Sequence, residues 1–185
     1  MENNTSEMRE IMKNERRETY LDIMPLGAKL SDEEIKTLGF FEVPASIKYH
    51  GAYEGGLFDH SLAVTRALVE LTEKLNLEWE RPESPYLVGM YHDLCKCDNY
   101  IKDTESGQYR YNSDMIIPGH GDKSVIMALK SFMLTDEEIA CIRWHMGAYE
   151  KDTEMWKYYN RAVKEYPNVL YTHMADMIAS HIKGV

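Results

Sequence analysis

Tyr86-Leu87-Val88-Gly89-Met90-Tyr91-His92-Asp93-Leu94-Cys95-Lys96 is an apolar run that ends in an imidazole, a carboxylate and an ammonium group. Ser84-Pro85 immediately upstream predicts a helix start, with a hydroxyl at the cap and proline at the first helical position. Together they predict one buried helix over Pro85–Lys96. A carboxylate on such a helix needs a partner, and a cation supplies one. Adjacent helical residues point about 100° apart, so His92 and Asp93 reach a common cation only if it lies over the helix edge. Further ligands must then come from other helices.

Upstream, His60, Val64, Ala67, Leu71 and Leu75 recur at three- and four-residue steps and predict a helix over Asp59–Leu75 with one buried stripe. Downstream, Asp176 stands among Ala175, Met177, Ile178 and Ala179 in a predicted helix over Asn168–Ile182. Ser31-Asp32-Glu33-Glu34 and Thr135-Asp136-Glu137-Glu138 each fit a capping box, with the hydroxyl at the cap and an acid three residues on. Further helices are predicted over Glu7–Met24, Asp122–Met133, Asp136–Met146 and Thr153–Tyr166, with Gly147 and Gly184 where helices end. Tyr100-Ile101-Lys102 and Tyr109-Arg110-Tyr111 alternate around Ser106-Gly107 and predict a small β-hairpin near 100–111. The expectation is an all-α fold in one domain over 1–185: a helical extension over 1–50 and a core over 51–183.

The chain has 185 residues, 31 acidic and 21 basic, for a net charge of −10. That balance argues against a general grip on nucleic-acid phosphates, which needs clustered Lys and Arg. It leaves room for a small phosphorylated substrate, because bound metal ions reverse the sign of a pocket locally. Three cysteines, Cys95, Cys97 and Cys141, make no disulfide framework and read as reduced thiols. No apolar run approaches the roughly 20 residues of a membrane span. Met1 to Arg17 is polar and lacks the apolar core of a signal peptide. The expectation is a soluble cytoplasmic protein with no membrane partner.

The stretch from His50 through Gly55-Gly56-Leu57-Phe58-Asp59-His60 to Val64 resembles the opening helix of HD-domain proteins. His92-Asp93-Leu94-Cys95-Lys96 resembles the His-Asp pair of that superfamily with its following lysine, and Asp176 matches its last metal-binding aspartate. The order covers Gly55 to Ile182 and implies a helical, metal-dependent phosphohydrolase-type domain. His120 and His145 resemble the two additional histidines of dinuclear members. In that layout His60, His92, Asp93 and Asp176 hold one divalent transition metal ion, while Asp93 bridges to a second that His120 and His145 complete. Imidazole and carboxylate ligands suit Fe, Mn, Ni or Zn.

The resemblance implies hydrolysis of a phosphate ester in a nucleotide or other small phosphorylated metabolite, through metal-bound hydroxide. Asp93 bridges the ions and relays a proton; Lys96, on nearly the same face, neutralises charge on a phosphoryl oxygen. His50 and Arg143 are the further candidates for substrate contact. His173 and His181 match no ligand position. Cys95 departs from the glycine that relatives carry there, a change read as local packing, and Met146 replaces a second histidine of some dinuclear phosphodiesterases. The same ligand order resembles helical diiron oxygenases related to myo-inositol oxygenase, which act on a polyol or phosphonate-type substrate. A binding module that holds a ligand without turning it over is the third expectation.

Overall fold

A computed structural model describes residues 2–147 and 154–185. Nine α-helices and one hairpin are described: α1 Glu2–Ile23, α2 Asp32–Leu38, α3 Gly56–Leu75, α4 Ser84–Tyr91, α5 Lys96–Asn99, β1 Tyr100–Lys102, β2 Tyr109–Tyr111, α6 Gly121–Ala128, α7 Asp136–Trp144, α8 Trp156–Glu165 and α9 Asn168–Met177. A short 3-10 turn, Leu26–Ala28, follows α1, and a π-helical stretch, Ile178–Lys183, continues α9. The fold is the expected all-α bundle. α3 lies along α4 and α9, and α7 packs on α4, α6 and α9, so these five helices form one core.

Both capping boxes form. Ser31 and Glu34 exchange bonds at the start of α2, as Thr135 and Glu138 do at α7. Such caps stabilise a helix start by about 1 kcal/mol. Glu138, fully buried, also takes two hydrogen bonds from the Arg81 guanidinium, at 2.8 and 2.7 Å, and one from the Ser84 hydroxyl at 2.8 Å. That contact corrects the expected start of α4. Ser84 is the first helical residue rather than the cap, because its hydroxyl is spent across the bundle on Glu138.

Other boundaries also shift. α4 stops at Tyr91, leaving His92 to Cys95 as turns before α5, and α6 stops at Ala128 rather than Met133. The Thr135 cap needs extended backbone, so the residues before it connect rather than continue α6. The predicted start of α8 at Thr153 lies outside the described residues. In α3 the expected stripe is buried at Val64 and Ala67, whereas Leu75 is 50% exposed. Leu57, Phe58, Ser61, Thr65 and Leu68 are buried as well, so the first half of α3 is enclosed on nearly every side.

The first fifty residues complete the core. Tyr20, Met24, Ala28, Leu30, Phe40, Phe41 and Val43 are all buried, and Tyr20, Phe40 and Phe41 meet Phe58 or Tyr91 edge-on or tilted at 5.0–6.5 Å. A chain of hydroxyls closes this contact. The Leu30 amide donates to Tyr20 at 2.6 Å, Tyr20 to Tyr91 at 2.6 Å, and Tyr91 to the Ala28 carbonyl at 2.9 Å. Tyr91 immediately precedes His92, so this extension holds the residue next to a candidate ligand. The hairpin forms as expected, with Tyr100 opposite Tyr111 and Lys102 opposite Tyr109. Asp103 accepts the Glu105 and Ser106 amides in its turn, and Gly107 follows with a φ of 68°. None of the described helices is long and apolar enough to cross a membrane.

Candidate metal centre

Four imidazoles and two carboxylates meet inside the bundle. His60 stands on α3 and Asp176 near the end of α9. His92 ends α4, His145 ends α7, Asp93 follows α4, and His120 immediately precedes α6. Two helix C-termini, those of α4 and α7, therefore bring their partial negative charge to this cluster, which favours a cation there.

Two glycines permit the approach. A Cβ on Gly89 would lie 2.6 Å from the Thr65 Cα, so α4 touches the backbone of α3 and brings His92 to His60. A Cβ on Gly121 would lie 2.2 Å from the Arg143 carbonyl oxygen, so α6 touches α7 and brings His120 to His145. A real side chain cannot occupy either position without separating the helices. Lys123 fastens α6 further: its buried ammonium lies 2.6 Å from both Asn99 Oδ1 and Asp98 Oδ2.

The outward ring nitrogens determine what the inward ones can do. Nδ1 of His60 meets the Val185 carbonyl at 2.8 Å, that of His92 meets Gly89 at 2.9 Å, and that of His145 meets Ile142 at 2.7 Å. A carbonyl only accepts, so each Nδ1 carries the hydrogen. In the neutral rings each Nε2 is then a bare lone pair aimed inward. His60 and His92 nevertheless face each other Nε2 to Nε2 at 3.3 Å. Two lone pairs at that distance require a proton or a cation between them.

Asp93 stands at the centre. Its Oδ2 lies 3.9 Å from His60 Nε2 and 3.8 Å from His92 Nε2. Its Oδ1 lies 2.8 Å from His120 Nε2 and 3.5 Å from His145 Nε2. Although those nitrogens are near, the buried Oδ1 makes no hydrogen bond of acceptable geometry. Asp176 reaches His60 Nε2 at 3.2 Å and also groups with His92 and His145, while Asp93 groups with His60 and His92. Inward lone pairs around an orphaned carboxylate oxygen fit divalent cations bound through nitrogen and oxygen.

The charges agree. Burial alone would raise Asp93, but Lys96 and the imidazoles of His120 and His92 outweigh it and hold the carboxyl well below its usual range. Asp176 is likewise pulled down to about 2 against its burial, chiefly by the His60 hydrogen bond. Both carboxylates are ionised at neutral pH. Burial drives His92 down to about 4 and lowers His120, whereas His60 and His145 are raised because their carboxylate partners outweigh burial.

The HD domain family model matches residues 57–179, an interval that contains all six of these residues. The chain belongs to the HD domain family. A dihydroneopterin 2',3'-cyclic phosphate phosphodiesterase of Methanocaldococcus jannaschii is 34% identical over 64 residues, 33% of this chain. The match spans 26% of that relative's length. No solved structure gives a significant match.

The remaining candidates of this HD domain fall into different places. Lys96 acts electrostatically on Asp93, and its ammonium lies 5.6 Å from the Tyr100 ring centre at the foot of the hairpin. The His50 ring stands 5.0 Å from that of His60, and burial holds it below the ordinary histidine value. Arg143 pairs with Asp122 and lies over the Trp144 ring at 4.1 Å. His173 meets the His145 carbonyl at 2.7 Å, and His181 meets the Ser180 hydroxyl. Sequence reasoning missed two outer partners. The Cys95 sulfur lies 3.3 Å from His120 Nδ1, and the Val185 carbonyl lies 125 positions from His60. The first stood within the His-Asp motif, where its direction was invisible; no local pattern signals the second.

Proposed function

We propose that this HD domain is a phosphohydrolase holding two divalent transition metal ions and cleaving a phosphate ester of a nucleotide or other small phosphorylated metabolite. The observation that carries this reading is the division of Asp93: Oδ2 faces His60 and His92, Oδ1 faces His120 and His145. His60, His92, Asp93 and Asp176 would hold one ion, and Asp93, His120 and His145 the other. Bound cations supply positive charge for phosphoryl oxygens and acidify water, so that a nucleophile exists near neutral pH.

The chain's own groups do the rest. Asp93 is kept ionised among its four imidazole neighbours. Lys96, raised above its usual value because Asp93 outweighs its burial, keeps its proton and offers it to a phosphoryl oxygen. His50, held neutral by burial, is placed beside His60 to contact the substrate or accept a proton. Arg143 is already engaged by Asp122, so a substrate phosphate would have to compete for it.

The phosphodiesterase name of the Methanocaldococcus relative favours phosphate-ester hydrolysis over oxygenation. The test is phosphate release from monoesters and ring opening of 2',3'-cyclic diesters to monoesters, by protein loaded with Mn, Mg or Zn, compared with iron-loaded protein. Turnover with redox-inert ions supports the reading. Turnover only with iron and dioxygen would replace it with the oxygenase.

A further inference from the structure

Of the four imidazoles, His120 alone has an outer partner that is not a backbone carbonyl. Its Nδ1 faces the Cys95 sulfur at 3.3 Å. Carbonyls lock His60, His92 and His145 with the hydrogen on Nδ1, whereas a thiol both donates and accepts. Cys95 is itself held in place: its amide donates to the Ser124 hydroxyl at 3.1 Å, and Ser124 lies on α6, whose first turn begins at His120. His120 is also the most open of the six, with 29% of its side chain exposed against 0% for the other three imidazoles. At the same place the buried Asp93 Oδ1 lacks a hydrogen bond.

We propose that Cys95 is a positioning residue that lets His120 take either tautomer, making the His120–His145 half of the site the exchangeable one. Without a cation in that half, the thiol S–H donates to His120 Nδ1, and His120 Nε2–H donates to the bare His145 Nε2 at 3.1 Å. With a cation, Nε2 is bare and the ring's single hydrogen resides on Nδ1, donating to sulfur. The ring hydrogen crosses from Nε2 to Nδ1 through solvent, the thiol keeps its own, and no electron moves. The His60–His92 half has no such freedom, since both of its rings are fixed by carbonyls.

The proposal rests on the two-ion reading. Its test is competition titration of the full chain with Zn²⁺ against a chromophoric chelator, for the wild type, Cys95→Ala and Cys95→Ser, with helicity checked by circular dichroism. Two ions are expected in the wild type, with Cys95→Ala weakening one of them about 10-fold or more and Cys95→Ser recovering most of that loss. Long-range ¹H–¹⁵N spectra of the metal-free protein should show hydrogen on Nε2 of His120 and on Nδ1 of His60, His92 and His145. One ion in the wild type overturns the two-ion reading and this proposal with it. Two ions with unchanged or equally weakened affinities in Cys95→Ala, or Nδ1–H at His120 in the metal-free protein, overturn this proposal alone. If Cys95→Ala loses its helicity, the tautomer spectrum of the wild type decides.

Discussion

Arg16 grips Asp59 with two parallel hydrogen bonds of 3.0 Å, one residue before His60. Arg16 is only 8% exposed, so the pair ties α1 to the first turn of α3 largely out of water. Arg16→Ala leaves the carboxylate without its fork, and hydrogen bonds to charged groups contribute about 1.5–3 kcal/mol each way they are measured. A loss of about 2 kcal/mol is expected in urea unfolding, and Arg16→Lys should recover only part of it because an ammonium cannot bind both oxygens in parallel. Unchanged stability in Arg16→Ala would show that α1 is not anchored through this pair.

Gly89→Ala tests the approach of α3 and α4. Alanine raises intrinsic helix propensity by about 1 kcal/mol, so an exposed site would be stabilised. Here the new methyl meets the Thr65 backbone at 2.6 Å, and overpacking of this kind costs about 1–3 kcal/mol. The variant should melt lower than wild type and carry less metal after purification. A higher melting temperature with full metal content would contradict the packing described for this pair.

Asp93→Asn keeps the shape of the side chain and removes the charge shared by both halves of the site. Metal affinity should fall by more than the roughly 10–100-fold that outer partners of ligands contribute, with helicity retained. Elemental analysis after dialysis reads the outcome; phosphate release should fall with it. Retention of two ions by Asp93→Asn would remove this carboxylate from the centre of the site.

Metal uptake should strengthen as pH rises. Burial tends to lower His60 and His145, but the Asp176 and Asp93 interactions outweigh it and leave both above the ordinary value of 6.5. Their Nε2 atoms must be bare to bind a metal, so affinity is full above the raised values and is lost as pH falls through them. Zn²⁺ titration calorimetry in buffers of different ionisation enthalpy should show proton release that grows as the pH is lowered from alkaline values toward about 6.5. Proton-independent binding over that interval would contradict the raised values.

Much of this molecule was legible before any geometry. His92-Asp93, His60 and Asp176 stood on recognisable helical patterns, and the structure gathers them with His120 and His145. His145 does two things at once. It caps α7 through Nδ1, as a helix-ending histidine does, and presents Nε2 to Asp93. What stayed hidden is what depends on direction and distance. Ser84 looked like a cap because nothing local told of Glu138, 54 positions away. Gly89 passed as one more residue of the apolar run because its neighbour, Thr65, lies on another helix. Cys95 looked like packing because a motif gives order but not the side on which sulfur emerges.

The two helix-ending histidines have one more consequence. His92 and His145 each bond the carbonyl three residues back, so the last turn of α4 and the last turn of α7 are part of the proposed metal cradle. Unwinding either end removes the carbonyl that keeps hydrogen on Nδ1, and with it the lone pair offered inward. On the two-ion reading proposed above, fraying of these two termini and departure of the ions are therefore coupled. Occupancy of the proposed centre would then be visible from outside the bundle, in how fast the backbone amides around Val88 and Ile142 trade their hydrogens with solvent.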